Sequence, residues 1–280
     1  MRTIELFNFI RERHSIYEKK AAGLPSPWTA DEILRRYRFC NVYRELDTQT
    51  IWFAENWRTP HETDEDLWFA SLVFRFVNWH KTAEEIGYPV PWNPKHFMKT
   101  LRTRGERREK VYSGAYMIST HGVRLPKYQY LTESLHNIWK LREEVRYQPH
   151  GANGGSLDYF HKKLMECFDV GSFLAAQVIA DCKYTRRMDM AKDWHTFAAS
   201  GPGSRRGMNR IMGNRIKQPW TEEAWRAQHK LLHHTIKPLV EKAGMPFIHA
   251  QDLQNCLCEF DKYERVRLGE GKPKSIYRGA

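Results

Sequence analysis

Apolar and polar positions alternate with helical period along most of the chain, and few stretches alternate with period two. Thr3 to Lys20 repeats apolar residues at helical spacing. Thr29-Ala-Asp-Glu32 carries a helix-start signature, and the run DEILRRYRFCNVYRELDTQTIWFAENW behind it predicts one long amphipathic helix bending near Asp47. Asp64 to Gly87 is the most apolar segment and predicts a helix stopped by Gly87, Pro89 and Pro91. Further helices are expected over Asn93–Arg104, Thr132–Tyr147, Leu157–Cys167, Ser172–Lys183, about 205–216, Thr221–Ala243 and Ala250–Tyr263. Residues 105–128, including SGAYMIST, are less regular, and so is the basic tail GEGKPKSIYRGA. With no strand series, repeat or low-complexity tract, the expected class is all-α. The turn-rich QPHGANGGS is the best internal boundary. It suggests a single helical domain over 1–280, with two lobes possible: about 30–150, then 151–220, with the C-terminal helices packing back on the core.

Length and composition add bounds to this picture. The chain has 280 residues, 41% of them hydrophobic, which is enough for a packed core. A net charge of +12 favours a polyanionic partner, nucleic acid before membrane. No apolar run approaches the roughly 18 residues of a membrane span, and the charged N-terminus does not read as a signal peptide. The five cysteines include no CxxC pair and read as reduced thiols of a cytoplasmic protein. His233-His234 lacks a matching carboxylate or cysteine set, so no metal is expected; no cofactor is expected either. The nucleotide-binding pattern GxxxxGK[ST] is absent, as is any kinase signature.

Two stretches carry candidate chemistry. Leu157 to Lys183 reads as two short helices about a tight FDVGS turn, and resembles the helix-hairpin-helix of DNA glycosylases, whose core is L-P-G-V-G-x-x-x-A. Val170, Gly171 and Ala175 fit that pattern, while Phe168 and Asp169 replace its Pro-Gly. Backbone N–H groups at such a helix start suit a DNA phosphate, which singles out Val170, Gly171 and Ser172. The glycosylases place a catalytic carboxylate about twenty residues past the hairpin glycine. Asp193 lies near that place, with His195 beside it and Asp189 as the less favoured alternative. Phe173 stands where lyase-type members have lysine, so no Schiff-base chemistry is expected. The second stretch is SGPGSRRGMNR. Gly201, Gly203, Ser204, Arg205, Arg206 and Asn209 could form a phosphate grip, with Ser204 as helix N-cap, Gly203 admitting close backbone approach and the two arginines clamping by planar charge-assisted bonds. A solvated helix start is the plain alternative.

RRYRFCNVYRELDTQTIWFAENWR, GAYMI, the hairpin, SGPGSRRGMNRIMG and CLCEFDKYERVR together resemble, over about residues 30–270, the helical domain named after phage 5-hydroxymethyluracil DNA kinases, also called alpha-glutamyl/putrescinyl thymine pyrophosphorylase-like. The resemblance implies a pathway in which a kinase phosphorylates the hydroxymethyl group and a transferase displaces the phosphate with an amino acid or amine. It implies double-stranded DNA carrying modified thymine as partner and an amine co-substrate, and it allows a separate DNA kinase as a further partner. The expected activities are transfer to a flipped base, DNA presentation to a kinase, or excision by a glycosylase. In the glycosylase-like reading Asn41, Arg44 and Asp47 line a cleft, Trp57 could stack on a flipped base, and Glu259 and Lys262 offer a late catalytic carboxylate or a structural pair. Arg102 to Lys110 and Arg186-Arg187 could follow a DNA backbone.

Overall fold

The computed structural model describes residues 2–114, 120, 122–150, 155–273 and 275–277. Most of the GAYMI stretch and the GANG of the turn-rich break lie outside the described residues. The described residues form thirteen α-helices and no strand. In chain order these are α1 (Thr3–Ala21), α2 (Glu32–Arg36), α3 (Thr48–Phe53), α4 (Leu67–Val77), α5 (His80–Ile86), α6 (Pro94–Glu106) and α7 (Lys127–Lys140). Then follow α8 (Arg142–Val145), α9 (Leu157–Met165), α10 (Ser172–Cys182), α11 (Pro202–Met212), α12 (Glu222–Lys242) and α13 (Ala250–Arg267). The protein is all-α.

The helices gather into two compact units. One holds Met1–Asp47 with His195–Ala280, and the other holds Thr48–Trp194. The chain therefore leaves the first unit after Asp47 and re-enters it within the Asp193-Trp194-His195 triplet.

In the discontinuous unit, α1 presents Leu6, Phe9 and Ile10 to a core shared with Trp225, Leu232 and Ile236 of α12 and with Leu253, Leu257 and Phe260 of α13. Helix starts follow local chemistry. Asp31 accepts the N–H groups of Ile33 and Leu34 at the head of α2. Thr221 does the same for Ala224 at the head of α12.

The long helix expected from Asp31 to Trp57 does not form. α2 ends at Arg36, and an extended segment follows, bridged at Tyr37 to Ile276. The reason lies in the order of side chains: Tyr37 and Phe39 are buried while Arg38 and Cys40 are exposed, a period of two that only extended backbone satisfies. A 3₁₀ turn over Arg44–Leu46 then leads to Asp47.

In the continuous unit every residue of α4 is buried. The expected Asp64–Gly87 helix is two helices, α4 and α5, because Asn78 takes a left-handed conformation (φ 45°) that closes α4. A polar network lies inside. The Asp181 carboxylate on α10 accepts from Arg75 Nε at 2.7 Å and from Ser71 Oγ at 2.7 Å, and it also pairs with Arg75 Nη2. Arg75 is further bonded to Asn78 and Thr50, and Arg58 donates to the Asp181 carbonyl.

Candidate functional site

In the discontinuous unit, the extended segment after α2 brings several polar side chains together. Arg13, one helix earlier, donates through Nη2 to Asn41 Oδ1 at 2.6 Å and to the Phe39 carbonyl at 3.2 Å. The Asn41 N–H donates to Asp47 Oδ1 at 3.2 Å, and its side-chain amide donates to the Leu46 carbonyl at 2.7 Å. From α13, Glu259 accepts the Cys40 N–H at 2.9 Å. Lys262 lies one helical turn further on, 2.5 Å from Glu259 and over the Phe39 ring. The Arg44 N–H donates to Asp252 Oδ1 at 3.2 Å, two turns before Glu259 on α13.

Electrostatics in this cluster are unusual. Burial pushes the Asp47 carboxyl above its ordinary range, and Glu259 adds to that, against the N–H of Asn41 and the charges of Arg44 and Arg13. Burial likewise lowers the Arg13 guanidinium, which Asp47 and Glu259 partly restore. A buried carboxyl raised above its ordinary range, with a second carboxyl in the same cluster, is an arrangement from which proton transfer can be built. Asn41, Arg44, Asp47, Glu259 and Lys262, which the sequence singles out from opposite ends of the chain, thus belong to one unit and one cluster. Arg13 is the member that sequence reading missed. Its only sequence signal is a basic residue on the α1 face, which is indistinguishable from a solvated charge.

The glycine stretch has a different geometry. Gly201, rather than Ser204, is the N-cap of α11; Ser204 sits a turn inside, fully buried, and its Oγ accepts the Gly201 N–H at 2.9 Å. A Cβ added at Gly203 would lie 2.2 Å from Cys258 Sγ, and one at Gly207 would lie 2.1 Å from the Leu257 carbonyl oxygen. These glycines let α11 lie directly on α13. Arg205 donates to Ser200 Oγ at 2.7 Å and to Glu222 at 3.1 Å, while Arg206 donates to Asp261 Oδ2 at 2.8 Å. Burial would raise the Glu222 carboxyl, but the bonds from Ser200, Arg226 and Arg205 outweigh it and hold it below its ordinary range. Both arginine side chains remain more than a third exposed (39% and 37%). Asn209 is buried and clamps the following loop, donating to the carbonyls of Ile216 and Gln218 and accepting from Trp220 Nε1.

Asp193 lies in the continuous unit, where its two oxygens accept from the N–H groups of Leu157 (2.8 Å) and Asp158 (2.9 Å) and from Ser156 Oγ (3.2 Å). It holds the head of α9. His195 lies in the other unit, stacked with the ring of His249 at 5.5 Å. Trp57 is buried among Trp52, Phe53, Phe74 and Tyr88.

The turn between α9 and α10 places Gly171 as N-cap of α10 and Ser172 as its first residue, with Val170 buried beneath. The left-handed residue of this turn is Asp169 (φ 70°), held by Tyr130 Oη at 2.7 Å, not Gly171. On either side of the turn Phe168 and Phe173 are 73% and 55% exposed.

The described residues fold as an all-helical protein, and comparison gives its family. The family model described as 5-hmdU DNA kinase, helical domain, matches residues 2–273, and the chain belongs to that family. It is 24% identical over 228 residues to the 5-hmdU DNA kinase of Bacillus phage SP10, an alignment that covers 73% of this chain and 35% of the phage protein. The chain thus spans about a third of the length of that relative. No solved structure matches it. Among the described residues no helix is long and apolar enough to cross a membrane.

Proposed function

We propose that this chain acts on DNA bearing a 5-hydroxymethyluracil-derived base and replaces a phosphate on the exocyclic carbon with an amine or amino acid. The observation that carries this reading is the cluster of Asp47 and Glu259 with Arg13, Asn41 and Lys262. The nitrogen lone pair of the amine forms the new C–N bond as the C–O bond to phosphate breaks. Phosphate leaves with that electron pair, and the proton of the amine passes to a carboxylate. Glu259 is the first acceptor in this reading and Asp47 the second. Lys262 and Arg13 offset the charge that develops, and the exposed edges of Arg205 and Arg206 meet the leaving phosphate. Asp193 is the third choice, because both its oxygens already hold α9, and His195 follows it. The base is reached by flipping it from the duplex, as for other enzymes that do chemistry on a base.

The test uses duplexes containing 5-phosphomethyluracil, incubated with the chain and candidate amines, then digested to nucleosides for mass analysis. The expected product is a nucleoside carrying the amine, with one phosphate released per base. Glu259→Gln cuts turnover at least about a hundred-fold while DNA affinity stays. DNA bound with no change in the base instead makes the chain a module that presents DNA to a kinase. An abasic site makes it a glycosylase.

DNA affinity itself has a separate test. The net positive charge predicts binding that falls steeply as salt rises, through counterion release. Gly171 has an ordinary φ and open space at its Cβ, so Gly171→Glu leaves the fold intact and places a negative charge at the head of α10. Binding by fluorescence anisotropy should weaken about ten-fold at low salt. Affinity indifferent to both salt and this substitution would remove the hairpin from the DNA interface.

A further inference from the structure

Within the discontinuous unit a pocket of about 260 Å³ opens between α12 and the turn before α13, apart from the Asn41–Glu259 cluster. Lys230, His234 and Lys237 of α12 line its mouth, and the buried rings of His229 and His233 line its depth. Phe247 forms an apolar wall, with Lys237 Nζ 5.1 Å from the centre of its ring. Among the described residues no carboxylate lines this pocket. No three metal-binding side chains converge among them either, so a chelated ion does not account for the histidines.

The depth of the pocket holds an unmet hydrogen-bonding demand. His233 is satisfied, its Nε2 lying 2.8 Å from the Ile248 carbonyl. His229 stacks on Trp225 at 4.6 Å and is 2% exposed, yet among the described residues its Nε2 has no hydrogen-bond partner. A buried polar atom left unpaired costs about 1–3 kcal/mol, and a ligand atom entering the pocket would recover it. Burial, helped by the neighbouring His233, pushes His229 down to about 3, so at neutral pH it is an uncharged ring able to donate or accept. Burial also lowers His233, and its electrostatic interactions with His234 and Lys237 add to that. The wall is apolar, the depth offers one neutral polar atom, and the mouth carries two lysines, of which Lys237 also lies 3.7 Å from Glu241 Oε1 outside the lining.

We infer that this pocket binds a small organic anion, a carboxylate or phosphate monoester on an apolar body, with its charge toward Lys230 and Lys237 and a polar atom on His229. This goes beyond the transfer reaction proposed above and its test needs no DNA, so either can fail alone. Phenyl phosphate, benzoate and the neutral benzyl alcohol are titrated into the full chain, and the imidazole nitrogens are followed by long-range ¹H–¹⁵N correlation spectra. The His229 ring signals should shift to saturation with at least one of the two anions and stay in place with benzyl alcohol. Tighter binding of phenyl phosphate identifies a phosphoester ligand, and tighter binding of benzoate a carboxylate. The double substitution Lys230→Gln, Lys237→Gln alters one exposed and one half-buried side chain and should weaken that binding about ten-fold or more. His229→Phe, which fills the depth with an apolar ring, should abolish it. The inference is overturned if neither anion shifts His229, if benzyl alcohol shifts it as strongly, or if the lysine variant, folded by circular dichroism, binds as the parent does.

Discussion

Asp181→Ala should lower the stability of the Thr48–Trp194 unit by about 3–5 kcal/mol, the cost of leaving a buried charge unpaired. Arg75 is 2% exposed and Asp181 fully buried. Two nitrogens of the guanidinium face the two carboxylate oxygens, and Ser71 donates to one of them. Removing the carboxylate takes the ionic partner from Arg75, whose bonds to Asn78 and Thr50 are to neutral acceptors, inside the fully buried helix α4. The pair itself need not be net stabilising, because desolvation of both ions offsets much of their attraction. The informative comparison is therefore Arg75→Met with Asp181→Leu, which removes both charges and keeps volume. Urea unfolding followed by far-ultraviolet circular dichroism should place the double variant well above Asp181→Ala. A double variant no more stable than Asp181→Ala would show that the loss comes from packing or from the Ser71 bond.

That network marks the point where sequence reading stops. The helical class was legible because the long amphipathic runs over Thr3–Lys20, Asn93–Arg104 and Thr221–Ala243 carry their own periodicity, and the last two also carry caps at Asn93 and Thr221. Local chemistry decided those elements. It did not decide the stretch after Arg36, where the same apolar residues fit a helix on paper and alternate in and out of the core in fact. Nor could local pattern reveal Asn78, whose left-handed backbone splits an otherwise continuous apolar run. Pairings between distant residues are beyond periodicity altogether. Asp181 meets Arg75 across 106 positions and Glu259 meets the Cys40 N–H across 219. The sequence therefore marked Asn41, Asp47, Glu259 and Lys262 as polar residues in need of an explanation, while their joining depended on how α1 and α13 pack. The glycines of SGPGSRRG carried the opposite ambiguity. Close backbone approach was legible in them, but the surface approached is helix α13.

Gly207→Ala tests that approach and should be among the most damaging single-methyl changes in the chain. The added Cβ would lie 2.1 Å from the Leu257 carbonyl oxygen, 2.7 Å from its carbonyl carbon and 3.1 Å from its Cα. All three are backbone atoms in the middle of α13, so no side chain can swing away to make room. Helix propensity works the other way, since alanine in a helix interior is favoured over glycine by about 1 kcal/mol. The clash should win, because relief requires α11 and α13 to separate along a contact that also carries two charge pairs. Arg206 and Arg210 each reach Asp261 at 2.8 Å, and Asp261 is 1% exposed. Separation would stretch both bonds and leave that carboxylate partly unpaired. The expected loss is about 3 kcal/mol or more, at the upper end of overpacking effects, measured by urea unfolding. Gly171→Ala is the matched control, since its Cβ would meet nothing within 4 Å and its φ is −76°. It should change stability by less than about 1 kcal/mol. Equal stability of the two variants would mean that α11 and α13 are not in backbone contact at Gly207.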